Sequence, residues 1–136
     1  MLRTILAPLA GLLLGGLVVV LVEAGGHLLF PPPEGVDLTD PASLATLRAQ
    51  MPPEGLVTVL AAWFLGTFAG VWTALRVHPE RARWPGYAVA ALLAAGAAYT
   101  IAALPHPTWF IGLAALVYVV ATWAAFRAVP SYATAD

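Results

Sequence analysis

Four long apolar stretches run through the chain, separated by links that gather most of its charge and most of its proline. They are Ile5 to Phe30, Leu56 to Leu75, Trp84 to Leu104 and Thr108 to Phe126. Each reaches the roughly 20 residues that a helix needs to cross a hydrocarbon core of about 30 Å. None alternates apolar and polar positions as barrel strands do. Lipid offers no partner to a bare N–H or C=O, so an open-ended crossing segment must be a helix. The pattern predicts an all-α membrane protein. It is a four-transmembrane-helix up-down bundle, one domain over 1–136, with helices at about 5–30, 56–75, 84–104 and 108–127.

Composition strengthens this reading. The chain is 61% hydrophobic and 10% charged, against about 25% charged in soluble domains. A soluble chain this short keeps too large a surface to hide so much apolar side chain. The first stretch has a rival reading as a signal peptide, with Arg3 before it and Val22-Glu23-Ala24 as a cleavage site. Its uncharged part, Ile5 to Val22, exceeds the usual apolar region of about 7–15 residues, which favours a retained helix.

The placement of charge predicts an orientation. All six basic residues are arginine, and with the N-terminus inside, Arg3, Arg76, Arg81, Arg83 and Arg127 lie inside and only Arg48 outside. The positive-inside rule favours that arrangement, with both termini cytoplasmic. Glu34, Asp37, Asp40 and Glu54 then face outside. Aromatic residues fit interface belts: Trp84, Trp123 and Phe126 inside, and Phe30, Trp109 and Phe110 outside. The net charge of −1 and the short Arg cluster exclude a nucleic-acid footprint. The absence of cysteine removes disulfides and thiolate sites.

The links differ in length. The segments 77–83 and 105–107 are short, which makes the second, third and fourth helices antiparallel neighbours. The outer loop, 31–53, is the long one. Pro31-Pro32-Pro33 favours an extended polyproline segment. Asp40 can cap a short amphipathic helix with Pro41 in its first position. Leu44, Leu47 and Met51 would share its apolar face, lying on the membrane surface or over the bundle mouth. No repeat relates the two halves, so an inverted-repeat transporter is not expected.

Two groups of residues carry the candidate chemistry. Gly11 and Gly15 form a GxxxG step, and Ala62, Gly66 and Gly70 a small-residue stripe in the second helix. Ala90, Ala91, Ala94, Ala95 and Ala98 keep the third helix thin. Small residues let helix backbones approach in lipid, equally within one chain, in a homo-oligomer or against a partner membrane protein. The second group is Glu23, the only acid within the four stretches, with His27 one turn on and His106 on the same outer side. An intramembrane ionisable residue points to function by default. A carboxylate with two imidazoles could bind a transition metal or relay a proton. At 1.5 Å per residue the first stretch spans about 39 Å, so Glu23 could equally be an ion-paired or polar group near the outer edge.

The remaining polar residues are less directive. His78 belongs to a basic inner turn and is expected to be solvated, Glu54 suits the positive start of the second helix, and Arg48 can pair within its loop. Thr58, Thr67, Thr73, Thr100 and Tyr118 are scattered and make no polar lane across the bilayer. No nucleophile–base pattern, phosphate loop or HExxH is present. The chain therefore reads as non-enzymatic and calls for no cofactor. Three functional classes remain: a helix-packing accessory or oligomeric component, a small transporter or channel using Glu23 and His27, and an outward-facing metal-binding or sensing module.

The strings PPPEGVDLTD (31–40), LATLRAQMPPEG (44–55), LGTFAG (65–70) and LPHPTWF (104–110) resemble those of a group of small, uncharacterised bacterial four-helix membrane proteins. The likeness spans nearly the whole chain. It implies the same topology and no particular activity, and it draws attention to the two proline-rich outer segments.

Overall fold

The computed structural model describes residues 2–31, 35, 37, 39–43, 46, 52–78, 83–104 and 106–129, with side chains from Ile5 onward. Its long helices are α1 (Leu2–Leu29), α2 (Pro53–Val77), α3 (Trp84–Ala103) and α4 (Thr108–Ala128). All four are long and apolar enough to cross a membrane. The fold is a four-helix membrane bundle, and the chain is a small multi-pass integral membrane protein.

Proline sets two of the helix starts. Pro52, in extended conformation at φ −68° and ψ 139°, precedes α2, whose first residue is Pro53. Proline suits that position because its missing N–H would have no helical partner anyway. α2 thereby begins three residues before the apolar stretch and takes Glu54 into its first turn. Pro107, at φ −63° and ψ 150°, does the same for α4. In the long link, the Asp40 carboxylate accepts the Ser43 N–H at 2.8 Å, and residues 41–43 are helical, as the capping pattern predicts. Its neighbour Asp37 accepts both the N–H and the hydroxyl of Thr39. These bonds to Thr39 and Ser43 hold both carboxyls below the usual range. The proposed apolar face of Leu44, Leu47 and Met51, together with Arg48, Arg81, Pro32 and Pro33, lies outside the described residues.

The helices pack around α2, which touches each of the other three, while the backbones of α1 and α4 stay apart among the described residues. α1 and α2 form the closest seam, and glycine makes it. A Cβ on Gly15 would lie 2.7 Å from the Gly66 carbonyl oxygen, and one on Gly11 would lie 2.6 Å from that of Gly70. Cβ atoms on Gly66 and Gly70 would in turn stand 2.7 Å from the carbonyl oxygens of Gly15 and Gly11. The four glycines thus face one another in antiparallel register, with Ala62 fully buried on the same helix. Backbone-to-backbone contact of this kind supplies the dispersion energy that holds helices together in lipid. The seam occupies, within one chain, the small-residue faces that the sequence left open to any partner.

Two apolar clusters flank the seam. One is built on Leu56, Leu60, Trp63, Ala97, Phe110 and Ala114, towards the end where the long link joins α1 to α2, here called the loop end. The other is built on Val71, Ala74, Val89 and Ala125, towards the end that carries Arg76, Arg83 and Arg127, the Arg end. At the Arg end α2, α3 and α4 converge on Gly86, where a Cβ would stand 3.0 Å from Leu75 Cδ2 and from Phe126 Cζ. Two aromatic expectations need correction. Phe110 is fully buried rather than in an interface belt, and His78 is buried, its ring edge-on to Trp84 at 5.9 Å, rather than solvated. Both lie near helix ends, but on faces turned toward the bundle.

Candidate functional site

The one acid of the apolar stretches is turned into the bundle. Glu23 sits six residues before the end of α1 at Leu29, about 9 Å along the axis at 1.5 Å per residue. It is partly buried, and its Oε1 accepts a hydrogen bond from Trp63 Nε1–H at 3.1 Å. Indole N–H is a donor only, so the pair is complementary in either protonation state of the carboxyl. The bond lies on the glycine seam. Gly15, Val19 and Glu23 follow at four-residue steps along one face of α1, while Trp63, Gly66 and Gly70 follow at steps of three and four along one face of α2. One turn nearer the loop end, Gly26 lies against Thr58, where a Cβ would meet Thr58 Cγ2 at 2.5 Å.

Aromatic rings wall the carboxyl on the side of α4. Trp63 is 4% exposed. It packs edge-on to Phe110 at 5.5 Å and against Tyr118 at 5.9 Å. Tyr118 lies within electrostatic reach of Glu23 and turns its phenol toward Thr67. Thr67 is fully buried. Phe110 stacks on His106 at 4.7 Å, and His106 Nδ1 lies 2.8 Å from the Leu104 carbonyl oxygen. Imidazole Nδ1–H donating to a backbone carbonyl leaves Nε2 as the acceptor nitrogen. The site thus joins α1, α2 and α4 through one carboxyl, one indole, one phenol and one hydroxyl.

The three sequence candidates take different places. Glu23 faces the interior, His27 one turn later is exposed, and His106 stands behind Phe110. Among the described residues no three His, Asp, Glu or Cys side chains form a group able to hold a metal ion. Beyond Thr67 the core residues Val71, Ala74, Val89 and Ala125 are fully buried and apolar, and the Thr73 hydroxyl and His78 are buried polar groups toward the Arg end. The chemistry on offer is that of a partly buried carboxyl held by an indole N–H donor. Trp63 and Tyr118, its partners, escaped the sequence reading. The register of the two glycine pairs was the available signal, since pairing Gly15 with Gly66 brings Glu23 opposite the first turns of α2.

Compared with known proteins, the chain matches no family model, no curated protein and no solved structure.

Proposed function

We propose that this protein is a non-enzymatic accessory component of a bacterial inner membrane, with both termini cytoplasmic, and that it works by helix association. The supporting observation is a second small-residue face that the fold leaves open. Ala91, Ala95, Ala98 and Ala102 of α3 are all exposed, and their spacing of four, three and four residues puts them on one side of the helix. A helix that exposes small residues to lipid offers the close backbone approach already used between α1 and α2.

The chain has no cysteine, which makes the test clean. Ala95→Cys should give oxidative crosslinks to a second copy or a partner in native membranes. Leu113→Cys, exposed on α4, should give none. Adding Ala91→Leu and Ala98→Leu to Ala95→Cys should abolish the crosslink. A crosslink-free Ala95→Cys protein rejects the proposal.

A second reading, a small transporter, draws support from the inward carboxyl bonded to Trp63. It would use Glu23 with Trp63 and Tyr118 rather than with the exposed His27. It predicts proton or cation flux in liposomes that depends on pH and falls at least tenfold in Glu23→Gln. Flux equal in wild type and Glu23→Gln removes it.

A further inference from the structure

At the Arg end, three guanidinium groups lie over aromatic rings. Arg76 lies over Trp72 at 5.0 Å, Arg83 over Phe126 at 5.6 Å, and Arg127 over Trp123 at 5.2 Å. All three arginines are exposed, as is Trp123. Trp123 and Phe126 are three residues apart on α4, so their rings are neighbours on its surface. Arg83, just before α3, and Arg127 from α4 therefore stand over adjoining rings. No described carboxylate pairs with any of the three. The described acids Glu23, Asp37, Asp40 and Glu54 all belong to the loop end. The adjacent link adds Glu80 and Arg81 by sequence, outside the described residues.

A guanidinium resting on a ring covers one flat face and keeps its in-plane N–H edges free. Those edges match two phosphate oxygens at once, which a lysine ammonium does not. Exposed tryptophan at a helix end settles at headgroup depth. We propose that Arg83 and Arg127, supported by Arg76, bind the phosphate of an anionic phospholipid at the Arg end of the bundle. Charge complementarity selects the anionic lipid, and the rings hold the donors at the depth of its phosphate.

Native mass spectrometry of the full chain in mild detergent, with phosphatidylglycerol or phosphatidylcholine added, tests the site. Phosphatidylglycerol should bind at least tenfold more tightly. Each of Arg83→Gln and Arg127→Gln should weaken it about fivefold, the effect of removing one membrane-surface charge. The double variant should bind both lipids alike. Arg83→Lys with Arg127→Lys keeps the charge, guards against a folding artefact, and should recover only part of the preference. Equal binding of the two lipids by wild type overturns the proposal. So does a glutamine double variant that still prefers phosphatidylglycerol, or a lysine double variant that matches wild type. Millimolar inorganic phosphate should not displace the lipid. If it does, the site is one for free phosphate and the lipid assignment fails.

Discussion

Gly66→Leu will leave α1 and α2 unable to form their seam, and Gly66→Ala will destabilise the bundle by about 1–3 kcal/mol, the usual range for overpacking a core. The cause is that the new atoms meet backbone. A Cβ on Gly66 would press into Val19 and stand 2.7 Å from the Gly15 carbonyl oxygen. A side chain can change rotamer to make room, but a carbonyl in a helix cannot. The helices must separate, and close contact along the seam is then lost together. Adjacent glycines supply the control. Gly15→Ala faces the Gly66 carbonyl, whereas Gly16→Ala has nothing within 4 Å and should cost no stability. Unfolding in mixed micelles, followed by energy transfer between cysteine-linked dyes on α1 and α2, measures all four variants. Equal midpoints for Gly15→Ala and Gly16→Ala would show that the seam is not glycine-dependent.

That seam marks how far the sequence could be read. The four spans follow from apolar length alone, because lipid permits few alternatives to a helix. Gly11, Gly15, Ala62, Gly66 and Gly70 were identifiable as contact residues because their spacing defines a face. Spacing does not say what covers that face, and only the fold shows α1 and α2 covering each other. Aromatic residues were harder for a related reason. Depth along a helix can be counted from its ends, but rotation about the axis cannot when the helix is apolar all round. Depth alone therefore puts Phe110 at the interface and His78 in water, whereas their faces turn inward. Trp63 was lost in the same way. In an apolar run an indole bonded to a carboxylate reads like one facing lipid.

Trp63→Phe will cost more than Glu23→Gln, and the two residues will be coupled by about 1.5 kcal/mol in a double-mutant cycle. Two magnitudes bracket this value. Hydrogen bonds between membrane helices average about 0.6 kcal/mol and reach about 1.7, while bonds to a charged group are worth about 1.5–3 kcal/mol. Glu23 accepts from an indole that is almost wholly buried, so water does not readily replace the lost donor. Phenylalanine keeps most of the packing against Phe110 and Tyr118 and removes the N–H, leaving the carboxyl oxygen without its bond. Glutamine keeps an amide oxygen as acceptor and should lose less. Glu23→Leu combined with Trp63→Phe removes both polar partners and should be milder than the sum of the single changes. Stability measured in bicelles by mixed-solvent titration gives the four corners of the cycle. A coupling below about 0.3 kcal/mol would mean that the bond contributes no stability beyond what lipid-exposed groups recover by themselves.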